Sequence, residues 1–451
     1  MSADIIAPDA IRLAFSDAMS AMYRSEVPLY GDLLRIVAQS NAAVLEADPV
    51  LRDHLAVAGE LERLDAERHG AIRIGTAEEL RLMRRLFAVM GMQPVGYYDL
   101  AAAGLPVHST AFRPVTSAAL SACAFRIFCS LLRLDLIADE ALRAQATEIL
   151  ARRRIVNDGA LEQISRFERD GHLTAEHAES FVLEALETFR WHREALVDRP
   201  TYEALNAAHP LVADIVCFRG PHINHLTPRA LDIDAVQAAM VAHGMQAKAV
   251  IEGPPPRAVP VLLRQTSFQA LEEAILFREG DTAVPGAHTA RFGEVEQRGV
   301  ALTPRGRALY DAILAGVPAG PDYPARLAQA FAAMPDDLDR LRRDGLAYVR
   351  YAPTAQGAQA LVKGGLPDGP PEALIAAGLL TAEPITYEDF LPVSAAGIFR
   401  SNLRDETEGP RAAQASQADF EAALGTACLD PFGLYLAQEE ESLDRLRQAS
   451  R

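Results

Sequence analysis

Two histidines, His222 and His225, stand in the stretch RGPHINHLTPRALDID at 219–234, bracketed by Pro221 and Pro228. An imidazole can carry a proton, act as a general base or ligate a metal, and its setting decides which. The prolines favour extended chain, in which residues three apart point to opposite faces, so only one of the pair can face a given site. His225 leads into Asp232, a suitable N-cap for a helix over 235–243. An earlier histidine has the same setting. His69 opens HGAIRIG at 69–75, a short strand, and Thr76 with Glu79 forms a capping-box pattern for a helix through about Met90. Both helices end in Gly-Met-Gln, at 91–93 and 244–246, and a proline–valine step follows each, at 106–107 and 260–261. The shared order points to a duplicated βαβ-type unit in which His69 and His225 correspond.

A carboxylate completes the donor set. TARFGEVEQ at 289–297 alternates like a strand and puts Glu294 and Glu296 on one face, so parity does not choose between them. Two histidines and one carboxylate leave adjacent coordination positions open. That suits Fe(II) receiving a bidentate 2-oxo acid and dioxygen, and it equally suits zinc with a bound water. Arg73 shares the face of His69 and Ala71, where a guanidinium could grip a substrate carboxylate or pair with an acidic helix.

The elements around these residues are expected as an α+β fold. A helical N-terminal segment covers 1–66, where IRLAFSDAMSAMYR and YGDLLRIVAQSNAAVLE carry apolar residues at three and four spacing. A first βαβ-type module spans 67–116, with strands at 97–100 and 107–115. A helical insertion at 117–200 follows, read from ALSACAFRIFCSLLRLDLI and AEHAESFVLEALETFRWHREAL. Trp191 and His192, near its end, are read as packing residues. The second module spans 201–302, with a strand in VPVLLRQTSF at 259–268 and a short helix at 269–278. A mixed region at 303–451 includes YEDFLPVSAAGIFRSNL at 387–403, where small residues permit close backbone approach.

The bulk properties exclude several classes. At 451 residues the chain can bury substantial cores. A net charge of −17 disfavours nucleic acid and anionic membrane surfaces as partners. No run of eighteen apolar residues and no secretory signal pattern occurs, so a cytoplasmic location is expected. The four cysteines lack zinc-finger spacing and are expected as buried thiols.

Four segments, RHGAIRIGT, NHLTPRALDID, RFGEVEQRG and FLPVSAAGIF, in this order across most of the chain, resemble the 2-oxoadipate dioxygenase/decarboxylase family. The resemblance implies two vicinal-oxygen-chelate-type βαβββ modules forming a metal-binding half-barrel, flanked by the helical segments. It implies Fe(II) held by His69, His225 and Glu294, a substrate carboxylate held by Arg73, and a pocket wall that includes Val393, with Ser394 as its neighbour. The implied reaction converts 2-oxoadipate and O2 into 2-hydroxyglutarate and CO2 in lysine catabolism, by a mechanism similar to that of hydroxymandelate synthase. The rival reading of the same donors is a glyoxalase-like isomerase or lyase whose metal acts as a Lewis acid on a small oxo acid.

Overall fold

Capping chemistry and strand pairing place the histidines. In the computed structural model, which describes residues 4–449 except 281, 319, 321 and 392–409, the strands are β1 Ile5–Ile6, β2 Arg68–Ile74, β3 Gln93–Asp99, β4 Val107–Arg113, β5 Arg126–Leu132, β6 Leu173–Thr174, β7 His225–Pro228, β8 Leu263–Ser267, β9 Glu272–Glu279, β10 Thr282–Thr289, β11 Glu294–Arg298, β12 Val349–Pro353 and β13 Leu380–Pro384. Many helices surround them, so the fold is mixed α and β.

The largest sheet has the order β3-β4-β5-β2-β7. Strand β2 runs parallel to β5 and antiparallel to β7, with His69 opposite Thr227 and Ala71 opposite His225. Beyond β7 the pairing continues to β11, where Arg229 bridges Glu296 and the Ala230 amide donates to the Glu296 carbonyl at 2.7 Å. Strand β11 pairs antiparallel with β8, and the 247–252 stretch bridges the far side of β8 at Ala247–Phe268 and Glu252–Gln265. Strands β2, β7 and β11 are therefore consecutive neighbours. Each contributes one of the expected metal donors.

The helix Ala77–Val89 starts as expected: Thr76 Oγ1 accepts from the Glu79 amide at 3.1 Å. The Glu79 carboxylate reaches back to the Gly75 amide at 2.7 Å. Asp232 caps Ile233–Ala242 in the same way. Each histidine stands at the same distance ahead of its cap, His69 before Thr76 and His225 before Asp232. The repeated Gly-Met-Gln has a physical reason. Gly91 and Gly244 take the left-handed conformation, φ 67° and 76°, and the following Met amides reach back to Phe87 and Met240 carbonyls at 3.1 and 3.0 Å. Both are Schellman-type ends that bury the methionine, Met92 or Met245.

Two expected helical stretches are strands. RIFCSLL at 126–132, inside the expected insertion at 117–200, is β5 and is buried at every position. A strand covered on both faces reads as a continuous apolar run, which periodicity cannot tell from a buried helix. The short helix expected at 269–278 is instead β9, hairpinned to β10 from Glu279–Thr282 to Glu272–Thr289. Its helix-prone EEAILF yields to cross-strand pairing and a turn through Gly280, φ 62°. The strand expected over 289–297 is also interrupted, because β10 ends at Thr289 and β11 begins at Glu294.

Apolar burial divides to either side of the large sheet. Ile72, Ile74, Ile127 and Cys129 pack with the helices Pro8–Glu26 and Ala77–Val89. Ala71, Ala111 and Phe128 face the other way, toward Pro210–Val216 and Phe390. A third cluster joins Val261, Val300 and Leu302 to the C-terminal helices. The cysteines are free thiols; Cys123, Cys129 and Cys217 are buried and Cys428 is half-buried. Among the described residues no helix is long and apolar enough to cross a membrane.

Candidate metal centre

His69, His225 and Glu294 converge in the interior, all essentially inaccessible to solvent, with one ligand atom from each lying within 4.8 Å of the others. His69 Nε2 is 3.1 Å from Glu294 Oε1 and His225 Nε2 is 3.8 Å from the same oxygen. Ligand atoms in neighbouring positions of an octahedral ion with bonds of about 2.1 Å lie about 3 Å apart, so the spacing suits one ion with little movement.

The hydrogen-bond inventory agrees. Glu294 Oε1 meets His69 Nε2 at 3.1 Å and accepts from Thr227 at 3.0 Å and from Gln265 at 2.9 Å, whereas among the described residues Glu294 Oε2 and both ring nitrogens of His225 have no hydrogen-bond partner. Buried polar atoms without partners are costly in a protein interior, and a cation is the partner that two imidazoles and a carboxylate share. Burial pushes His225 down to about 4 against the pull of Glu294, which leaves its ring neutral and its lone pair available at neutral pH. Burial also opposes charge on Glu294, yet His225 and His69 hold its carboxyl below the usual range.

Glu296 is on the same side of β11 but takes a different place. Its Oε2 is 3.0 Å from His69 Nδ1, so the His69 ring lies between two carboxylates one pleat apart. Arg298 grips Glu296 at both oxygens, at 2.8 and 2.9 Å. Despite burial, Arg298 and His69 hold the Glu296 carboxyl at about 2. Behind this pair runs a buried network. Arg63, Arg126, Arg229 and Arg298 interleave with Glu60, Glu67, Glu296 and Glu388, and Glu67 lies within ion-pair distance of all four guanidiniums. Phe390 and Phe292 close the apolar walls, each with its ring centroid 4.9 Å from that of His69 or His225.

Arg73, farther along β2, reaches Asp214 through Nη1 at 2.6 Å. Asp214 is the one acid of the helix Pro210–Val216, so Arg73 is ion-paired, but in a largely buried pair rather than the surface pair with an acidic helix considered from the sequence. The guanidinium also bears on the metal centre, since it contributes to the lowered pKa of His225. His222 is not among the three converging donors and lies 3.2 Å from Asp214 Oδ1. Sequence reasoning missed Asp214 and His288, whose Nε2 is 2.9 Å from the same oxygen. The one signal was an acid in the apolar run LVADIV; nothing marked His288 on its hairpin. Trp191, read as packing, does pack, edge-on to His222 and over Arg291. Val393 and Ser394 lie outside the described residues.

Comparison with known proteins gives this arrangement a lineage. A sequence model of the family described as 2-oxoadipate dioxygenase/decarboxylase matches residues 15–402. The chain belongs to the 2-oxoadipate dioxygenase/decarboxylase family. It is 54% identical to the protein of that name from Pseudomonas putida, over 99% of this chain and 98% of the relative. The protein of that name from Mycobacterium bovis is 42% identical over 95% and 97% of the two chains. Among solved structures, the hydroxyglutarate synthase of Pseudomonas putida in complex with 2-oxoadipate superposes with a TM-score of 0.92 at 52% identity, covering 99% of both chains.

Proposed function

We propose that this protein is an Fe(II)-dependent enzyme that converts 2-oxoadipate and O2 into 2-hydroxyglutarate and CO2, a step of lysine breakdown carried out in the cytoplasm. His69, His225 and Glu294 hold the metal in this reading, on two βαβββ modules, one built on β2 and one on β7, that together form a half-barrel. The observation that carries it is the buried convergence of these three side chains, with Glu294 Oε2 and both ring nitrogens of His225 lacking a hydrogen-bond partner among the described residues. Membership of a family named for this reaction supports the substrate and the chemistry.

When bound, Fe(II) supplies a site where a 2-oxo acid chelates and dioxygen is activated. The chain's own residues do the rest. Neutral His225 and the ionised Glu294 offer lone pairs without a prior proton loss at neutral pH. The Glu296 carboxylate, 3.0 Å from His69 Nδ1, favours the proton on that nitrogen and so would leave Nε2 to ligate. Arg73 takes the far carboxylate and so orients the methylene beside the keto carbon, the one that becomes the carbinol of the product. Phe390 and Phe292 keep water from the donors.

The test is oxygen uptake by protein reconstituted anaerobically with Fe(II), on adding 2-oxoadipate, with 2-oxoglutarate and 2-oxopimelate as controls. Uptake matched one to one by CO2 and 2-hydroxyglutarate is expected. Absence of uptake with every 2-oxo acid, despite bound iron, would overturn the oxygenase reading in favour of a Lewis-acid isomerase or lyase.

A further inference from the structure

Asp214 is a buried carboxylate that collects three nitrogen groups. Its Oδ2 takes Arg73 Nη1 at 2.6 Å, and its Oδ1 faces His288 Nε2 at 2.9 Å and His222 Nε2 at 3.2 Å. The arrangement continues outward, with Tyr202 Oη 2.9 Å from His288 Nδ1. Trp191 and Phe218 box the two imidazoles: Trp191 stands edge-on to His222 at 4.7 Å between centroids, and Phe218 lies 4.7 Å from His288. His222, His288 and Asp214 carry the donor types of the metal centre. Among the described residues, however, only His69, His225 and Glu294 bring their ligand atoms within 4.8 Å of one another.

We infer that Asp214, itself fixed by His222 and His288, is the positioning residue that sets the Arg73 guanidinium for the far carboxylate of a 2-oxo diacid. The inference rests on the role given to Arg73 above. An arginine on a strand has several rotatable bonds, and a two-point grip on a carboxylate needs the guanidinium plane set beforehand. Asp214 supplies that restraint from a helix that packs on the sheet, and the histidines restrain Asp214 in turn. Arg73, Asp214 and His288 come from β2, a helix and a hairpin strand distant in sequence, so the restraint exists only in the folded chain.

The test compares anaerobic binding of 2-oxoadipate and of 2-oxohexanoate, which has the same chain but no far carboxylate, to the full-length protein loaded with Fe(II). Wild type, Asp214→Asn, Arg73→Ala, the double variant and the milder His288→Gln are each titrated, and Fe(II) affinity is measured separately. Asp214→Asn should lower the preference for the diacid at least about tenfold with Fe(II) affinity unchanged, as expected for loss of a charge-assisted contact. The double variant should be no less selective than Arg73→Ala, because coupled residues are non-additive. His288→Gln should act in the same direction, which keeps the test decisive if Asp214→Asn fails to fold. An unchanged preference, or losses that add in full, would overturn the inference. Oxygen uptake plays no part in this readout, so failure of the proposed reaction is seen separately.

Discussion

Glu296 stands 3.0 Å from the Nδ1 of His69, while the opposite ring nitrogen of that histidine faces Glu294. A carboxylate behind a ligating imidazole fixes its tautomer and raises its basicity. Glu296→Gln should therefore weaken metal binding by about 10–100-fold while leaving all three donors in place. Direct titration with Fe(II) or Co(II) reads this, and wild-type affinity would mean that the ring needs no such support.

Arg73→Ala should leave metal affinity intact and lower kcat/KM by roughly a hundredfold, the effect of losing a bidentate contact of about 2–4 kcal/mol. It should also lower the melting temperature, since buried Asp214 loses its guanidinium. Unchanged kinetics would remove Arg73 from substrate binding.

His225→Ala should abolish metal binding and cost the metal-free protein only the packing of a buried ring against Phe292, because among the described residues neither ring nitrogen has a hydrogen-bond partner to lose. In wild type, metal at a hundred times its Kd should stabilise the fold by about 2.7 kcal/mol. Calorimetry with and without metal reads both. A variant that retains the metal-induced shift would exclude His225 as a ligand.

Gly70 lies between His69 and Ala71, where an added Cβ would meet Ile223 Cδ1 at 2.5 Å and the His225 carbonyl at 3.2 Å. Gly70→Ala should destabilise by about 1–3 kcal/mol, the usual range for overpacking, and weaken metal binding by parting β2 from β7. Denaturant melts with wild-type midpoints would show that the junction yields without cost.

His108 supplies a pH prediction. Burial, with Arg133 adding to it, pushes its pKa down to about 4 from an ordinary 6.5. The unfolded chain thus binds the proton more readily than the native one, so His108 costs nothing above pH 6.5. Stability then falls as the pH drops from 6.5 toward 4, by no more than about 3 kcal/mol. His108→Gln should flatten that part of the stability curve, measured by urea melts across the range.

Much of the candidate site was legible because local rules act on it directly. Strand parity placed Arg73 on the face of His69, and the two caps put His69 and His225 in matching positions. Parity could not separate Glu294 from Glu296. They differ in the partner each meets besides His69, His225 for Glu294 and Arg298, two residues along the same strand, for Glu296. Strand β5 was hidden by burial on both faces, and β9 by a helix-prone composition that its hairpin partner overrides. Asp214 and His288 meet only through tertiary packing, for which no spacing rule exists.

The alternating arginines and glutamates behind His69 also bear on how such a chain can diverge. Removing one member of a buried ion pair strands its partner's charge, at a typical cost of 3–5 kcal/mol, whereas exchanging both for apolar residues of similar volume is often neutral. Because Glu67 serves Arg63, Arg126, Arg229 and Arg298 together, no single neighbour can change in step with it. Substitution at Glu67 is thus closed to one-step or two-step drift, and descendants that lose it must rebuild the whole cluster.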